Sequence, residues 1–495
     1  MPEVKEVKME GILKGLKPEK VFAFFEYLSS VPHGSGNTGP ISGLCVRFAE
    51  ERGLRYFKDD VNNVIIYKPA TPGCENAPTV IIQGHLDMVC TKTPDNDLDM
   101  SKEGPRLMTD GEWVWADRSS LGGDNAIGVA TAMAILDDDT FAHPAIEALF
   151  TIDEETSLVG AGKLDVSNLE GKMLINLDSE EEGVFTVSCA GGMRCNSSIP
   201  VVRESVPEEE YSCFEVTVGG LMGGHSGADI NRGRGNACKL LARFLYEAQD
   251  GLDVRLEDIS GGDFDNVIPK VAHAKVDVKN EDCEAFLELA GKFGQIFRNE
   301  LGTFDPGVLL TAEPSKSEND PASSDSTRTV LTALFATPDG IQKMSRTIAN
   351  FVQTSLNLGI LRMSENFCAF SCSIRSSVYT EKYETLAKVR AIVEACGGTA
   401  AMRGEYPAWE YKKDSALREV ALEAYRHVYG GEARVEGIHA GLECGVFAEK
   451  IEGLDAISFG PDLRDVHSVR ERLNAPSTAR MYELVKEMLR IIAGM

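Results

Sequence analysis

Short apolar runs rich in β-branched residues alternate along this chain with longer stretches whose apolar positions recur every three or four residues, the pattern of a sheet layered with helices. Helical spacing covers 13–30, where Val21, Phe22, Phe25 and Leu28 form one stripe, and resumes over 41–53. VPHGSGNTGPISG between them reads as loop. Strands are predicted at 64–67, 79–83, 146–152 and 173–177, with a small-residue helix over 126–136 that can pack close to the sheet. From about residue 185 the texture changes. The stretch 213–219 alternates as a half-buried antiparallel strand would, GGHSGADINRGRGN is a glycine-rich loop, and 237–246 is helical. A second series over 346–401 reads strand, strand (368–377), helix (381–396), so the region looks like two α+β halves of one insertion. The hydrophilic run 313–328 is its most loop-like segment. Beyond about 407 the α/β pattern returns, with helices at 416–429 and 477–493 and a strand at 456–459. The expected organisation is a first domain in two parts, 1–190 and 403–495, interrupted by an inserted domain over 191–402.

Polar residues at the strand ends carry the candidate chemistry. TVIIQGHLD leaves the sheet at Gly84 and then presents His85 and Asp87, which share a side because extended residues two apart do. In parallel α/β sheets ligands bind beyond the carboxyl ends of the strands, and an imidazole that binds a cation commonly donates its other N–H to a carboxylate. Gly122 and Gly123 loosen the backbone before Asp124. An Asp at a loop-to-helix junction is often an N-cap, but here it has room to turn toward the sheet edge that carries His85. The 146–152 strand ends in DEET, whose adjacent Glu154 and Glu155 repel each other unless solvated or neutralised by cations. The 173–177 strand ends in Asp178, followed by Ser179 and three glutamates. His467 follows the 456–459 strand. Several such endings together make a stronger site hypothesis than any one of them.

The chain has 495 residues, 43% hydrophobic and 26% charged, so globular domains are expected rather than disorder. Its 77 acidic and 50 basic residues leave a formal charge of −27, which argues against nucleic-acid or anionic-membrane partners. No stretch approaches the roughly 20 apolar residues of a membrane span, and MPEVKEVKMEG lacks an apolar signal core, so a cytoplasmic location is expected. Twelve cysteines lie scattered with no CxxC pair, so neither a zinc finger nor a secreted disulfide framework is suggested. Cys90 and Cys444 have no adjacent histidine or basic residue to make a nucleophile. His33, in the first loop, reads as a surface or hydrogen-bonded structural residue.

GHLDMVC, LGGDNAIGVA, DEET, NLDSEEEG, GGHSGADI, HAGLECGVF and GPDLRDVHS, in that order, resemble the cytosolic aminoacyl-histidine dipeptidases. These belong to the di-zinc exopeptidase superfamily, with carboxypeptidase G and the aminoacylases. The resemblance implies an α/β catalytic domain with a mixed central sheet flanked by helices and an inserted α+β lid, through which homodimers form. It implies two divalent metal ions, zinc first and cobalt or manganese as alternatives. One would take His85 and Asp178, the other Glu155 and His467, with Asp124 bridging. Asp87 would orient His85, and Glu154 would be the general base. His225 would donate to the developing oxyanion. Asn266 and Arg375 would bind the substrate backbone and its carboxylate, with the loop around Gly441 closing on the same group. His439 has no ligand position left and reads as structural. Arg118 departs from the family's usual glycine and adds a charge that bears on substrate preference. The expected activity is hydrolysis of dipeptides with free amino and carboxyl ends, Xaa-His or broader. The rivals are an aminoacylase or carboxypeptidase acting on blocked or longer substrates, and an inactive peptide-binding scaffold.

Overall fold

Val80–His85 is buried along its whole length and lies between Ile146–Thr151 and Met173–Asn176, parallel to both. Met173–Asn176 also pairs in parallel with Asp455–Ser458. These four strands form the middle of an eight-stranded mixed sheet. Arg55–Lys58 and Val64–Lys68 extend it antiparallel beyond Ile146–Thr151, and Val184–Cys189 and Arg434–Ile438 extend it beyond Asp455–Ser458. Being buried on both faces, the central strands read as continuous apolar runs without polar alternation. The helix Gly123–Leu136 packs against them, and every residue in it except Asp124 is buried. A small four-stranded sheet joins Leu107–Thr109, Trp113–Ala116, Arg472–Asn474 and Leu463–Arg464.

This computed structural model describes residues 11–495, so the signal-free reading of the first ten residues lies outside the described part. The chain divides into two units. The first contains the residues up to Ser188 together with Tyr411–Gly437 and Leu442–Met495, and the second contains Cys189–Glu410 with Ile438–Gly441. The insertion therefore runs past 402. Thr399–Tyr406 pairs with Gly191–Pro200, so the chain cannot leave the second unit until that strand is complete.

One nine-stranded antiparallel sheet spans the second unit, and both α+β halves contribute to it. The halves meet where Ser260 and Gly261 pair with Arg362 and Leu361. Helices Ala237–Ala248, Cys283–Leu301, Ser324–Ala336 and Tyr379–Ala395 cover one face around a core that includes Phe214, Val216, Leu241, Phe244, Phe286 and Leu331.

Two expectations need correction. The first helix begins at Glu19, directly after Pro18, because proline suits a helix start and not an interior. The hydrophilic 313–328 run is not loop throughout. Leu309–Pro314 is a strand, and Ser324–Ala336 is a helix whose preceding Ser323 hydroxyl accepts the N–H of Ser326 at 3.2 Å, so the serine-rich sequence is a cap. No described helix is long and apolar enough to cross a membrane.

Candidate metal centre and polar clusters

The parallel strands deliver their last residues, or those just beyond, to one edge of the first unit's sheet. His85 closes its strand, Glu154 and Glu155 open a short helix after Ile146–Thr151, and Asp178 follows Met173–Asn176. His467 comes from the loop between Leu463–Arg464 and Arg472–Asn474. Asp124 sits at the start of Gly123–Leu136 with non-helical backbone (φ −81°, ψ 105°), and the cap position is taken by Gly122 rather than Asp124. Its carboxylate faces outward from the helix start, toward both histidines. Oδ1 lies 3.0 Å from His85 Nε2, and Oδ2 lies 3.3 Å from His467 Nε2. His85 Nε2 is also 3.3 Å from Asp178 Oδ1, and His467 Nε2 is 2.9 Å from Glu155 Oε1. All five predicted ligands are thus brought together, with Asp124 between two imidazole–carboxylate pairs.

Sharp backbone supports this gathering. Gly122 has φ +71°, and a Cβ there would lie 2.8 Å from Met88 Sδ and 3.1 Å from His33 Nε2. A Cβ at Gly123 would meet Leu463 Cδ2 at 2.7 Å. Asp153, just before Glu154, and His467 itself hold left-handed backbone (φ 53° and 61°), a conformation that costs a non-glycine residue energy and must be held by its surroundings.

Asp87 is buried and does more than orient His85. Nδ1 of His85 lies 2.9 Å from the Asp87 carbonyl and 3.4 Å from its Oδ1, so the backbone oxygen is the closer partner that fixes the tautomer with Nε2 toward Asp124. The carboxylate itself accepts the N–H groups of Glu154 (3.0 Å) and Glu155 (3.3 Å) and the Ser35 hydroxyl (2.7 Å).

Sequence reasoning missed two buried carboxyls. Glu471 accepts the N–H groups of Leu121 (2.9 Å), Gly122 (3.3 Å) and Gly123 (2.8 Å), anchoring the turn that aims Asp124. Glu443 lies beneath the strand ends, 2.6 Å from both Gln83 Nε2 and Thr151 Oγ1. Glu443 stood within the HAGLECGVF motif, but no local spacing marks either residue, since their partners lie hundreds of positions away.

Electrostatics show a centre short of positive charge. Burial and the neighbouring Asp124 push the Asp178 carboxyl well above its ordinary range, against the pull of His85. Burial likewise pushes Glu154 well up, with His85 opposing and Asp178 and Glu443 adding to it. Glu180 rises to about 7 through burial and the charge of Asp124. Burial disfavours the charged form of His85, yet Asp178 and Asp124 outweigh it and raise the imidazole well above its usual value. Hydrogen bonds to Asp124 and Glu155 raise His467 to about 10. Burial opposes the charge of Asp124 too, but His467 and His85 hold its carboxyl below the ordinary range. Two imidazoles cannot neutralise this many carboxylates, whereas divalent cations can. The nitrogen and oxygen donors are a zinc-compatible set.

The second unit gathers its own polar cluster. Arg375, buried, donates from Nη1 to the Tyr406 hydroxyl at 2.9 Å, and its Nη2 lies 3.4 Å from His225 Nε2. His225 Nδ1 accepts the N–H groups of Gly227 (3.3 Å) and Ala228 (3.1 Å), which leaves the ring proton on Nε2. Guanidinium offers donors alone, so two donors converge where an oxygen could sit. Burial and Arg375 hold His225 below its ordinary value, keeping it a neutral donor. The carbonyl of Asn266 accepts the Ser226 N–H at 2.8 Å, beside the pairing of His225 with Val267. Gly441 lies against the Tyr406 ring, where a Cβ would come within 3.0 Å of Cε2. His439 is buried with Nε2 2.7 Å from Ser355 Oγ, in keeping with a structural role.

His33 is buried rather than at the surface, with Nδ1 2.8 Å from the Val31 carbonyl. Arg118 pairs with Asp95 (2.9 Å) and Asp117 (3.2 Å) in solvent. Burial raises the Cys90 thiol, the opposite of activation, and Cys444 is buried.

Comparison with known proteins places this architecture. Residues 216–305 match the model of the peptidase dimerisation domain of M20 enzymes. The cytosol non-specific dipeptidase of Escherichia coli is 35% identical over 480 residues, covering 97% of this chain and 99% of that protein. The crystal structure of the aminoacylhistidine dipeptidase from Vibrio alginolyticus superposes with a TM-score of 0.93 at 34% identity, covering 97% and 98% of the two chains. The aminopeptidase PepT of Bacillus cereus shares the fold at a TM-score of 0.57 and 16% identity, over 97% of this chain and 99% of that one. This chain therefore belongs to the M20 metallopeptidases, in the same family as the Escherichia coli dipeptidase.

Proposed function

We propose that this protein is a cytosolic dipeptidase that removes the N-terminal residue from dipeptides with free amino and carboxyl ends, histidine-terminated ones among them. The observation that carries the reading is the Asp124 carboxylate, whose two oxygens face two histidines, each with a second carboxylate of its own. His85 and Asp178 would hold one metal and Glu155 and His467 the other, with Asp124 shared and zinc the expected ion. Bound cations supply Lewis-acid polarisation of the scissile carbonyl and make water acidic enough to react near neutral pH. Glu154 forms no ion pair or hydrogen bond through its carboxylate among the described residues, and burial raises its pKa toward the range a general base needs. It takes the proton of the attacking water and returns it to the departing amine. The Nε2–H of His225 serves the developing oxyanion, and the Arg375 fork serves the substrate carboxylate with Asn266 and Gly441 beside it. The match to a peptidase dimerisation domain supports a homodimer.

The deciding experiment compares an Ala-His type dipeptide with its N-acetyl form, alongside elemental analysis of the purified protein. Cleavage of the free dipeptide by a chain carrying two metals is expected. Preference for the blocked form would make it an aminoacylase or carboxypeptidase, and no cleavage of either by the metal-loaded chain would leave a binding scaffold.

A further inference from the structure

A second group of potential ligands lies in the second unit, away from its cluster of His225 and Arg375. Cys213 and Asp277 are register partners on adjacent strands, Tyr211–Gly219 and Ala272–Lys279. In the next strand, Val254–Gly261, the pairing slips between Leu256 and Asp258, and the residue skipped is Glu257. The bulge brings Glu257 alongside the other two. All three side chains are buried, and one ligand atom from each lies within 4.8 Å of the others. Phe214, Val216, Val276 and Val278 belong to the core under the helices, so Cys213 and Asp277, alternating with them, point to the opposite face. The 315–322 segment covers the group there. Ser315 N–H donates to the Cys213 carbonyl (2.9 Å), Ala322 N–H to that of Leu256 (2.8 Å), and Glu257 Oε1 accepts the N–H groups of Glu318 (3.0 Å) and Asn319 (3.1 Å).

The partners within this group are incomplete. Asp277 Oδ2 is buried with no hydrogen bond, and the Cys213 thiol, a weak donor, gives its one proton to Glu257 Oε2 at 3.7 Å. Lys275, two residues from Asp277, is engaged by Glu318 at 3.0 Å. Among the described residues no lysine, arginine or histidine forms an ion pair with the carboxylate of Glu257 or Asp277. Two buried carboxyls beside a thiol, with the Lys275 ammonium already paired to Glu318, are costly unless a cation joins them. Burial and the charge of Glu257 accordingly push Asp277 up to about 6, and burial pushes Cys213 up to about 12.

We propose that Cys213, Glu257 and Asp277 bind a zinc-class divalent cation beneath the 315–322 segment. Sulfur among the donors selects zinc or a similar borderline metal over calcium or magnesium. Binding releases the Cys213 proton, and any proton held by Asp277, to solvent. The site is independent of the centre around Asp124, whose donor set contains no sulfur.

That difference supplies the test. The full chain loaded with cobalt(II) should show a sulfur-to-metal charge-transfer absorption with the intensity of one thiolate ligand per chain. Cys213→Ser should abolish the band while dipeptide hydrolysis persists. Absence of the band in the unaltered chain, or its survival in Cys213→Ser, overturns the assignment. Asp277→Asn keeps the sulfur and provides a second reading should Cys213→Ser fold poorly: the band should again be lost, and an unaltered band overturns the site.

Discussion

Asp87 Oδ1 accepts the backbone N–H of Glu154 at 3.0 Å, tying the exit of one strand to the short helix that follows its neighbour. Its other oxygen holds the Glu155 N–H and the Ser35 hydroxyl, so one buried carboxylate sets the position of a proposed base and a proposed ligand. Asp87→Ala should weaken metal binding by about 10- to 100-fold, as loss of an outer-shell partner does. A competition titration against a chelator measures it, and unchanged affinity would confine Asp87 to a packing role.

Glu154 is expected to act without helping to hold the cations. Glu154→Gln should reduce kcat by about 10²- to 10⁴-fold while elemental analysis still finds two metals per chain. Turnover near the unaltered level would remove Glu154 from the reaction.

Glu471 positions rather than reacts. Glu471→Ala would leave the buried amides of Leu121, Gly122 and Gly123 without their acceptor, costing on the order of 1 to 3 kcal/mol for each one that water cannot reach. Because those amides precede Asp124, the ligand proposed to serve both metals, both should weaken together. Loss of only one, followed by calorimetric titration, would contradict a bridging Asp124.

Arg375 presents a fork already oriented by Tyr406. Arg375→Lys keeps the charge and loses the two-pronged geometry, so KM for a free dipeptide should rise about tenfold, or about 1.4 kcal/mol, with a smaller change in kcat. An amidated dipeptide, which lacks the carboxylate, should not distinguish the two enzymes.

Away from the site, Lys486 lies 2.8 Å from Asp138 Oδ2 and joins the last helix, Ala475–Ala493, to the residues just after Gly123–Leu136. Burial opposes the charge of Asp138, but Lys486 and the hydroxyl and amide of Thr140 outweigh it and hold the carboxyl below its ordinary range. A folded value below the unfolded one, near 4, gives stabilisation that is complete above about pH 4 and is lost as pH falls through the folded value. Lys486→Met should therefore lower stability by on the order of 2 kcal/mol at pH 7, and the gap to the unaltered protein should narrow below about pH 4. Urea midpoints across that range read the effect.

Much of the first unit was legible locally. Apolar runs at Val64–Lys68, Val80–His85, Ile146–Thr151 and Met173–Asn176 stand out because strands buried on both faces have no polar positions to mask them. Arg55–Lys58, at the sheet edge and largely exposed, carries no such signal and was not anticipated. The shared sheet of the second unit was equally hidden, since strand order depends on pairings between residues such as Ser260 and Arg362, a hundred positions apart.

By itself the sequence determined which residues stand at strand ends and which of them are chemically able to hold a cation, because periodicity and residue type are local properties. Only the tertiary structure decided that Asp124 turns its two oxygens to His85 and His467, that Glu471 holds the turn before it, and that a bulge brings Glu257 to Cys213 and Asp277. Those relationships join residues up to about 350 positions apart through directional contacts of about 3 Å, and such contacts exist only after the chain has chosen its strand order and packed its core.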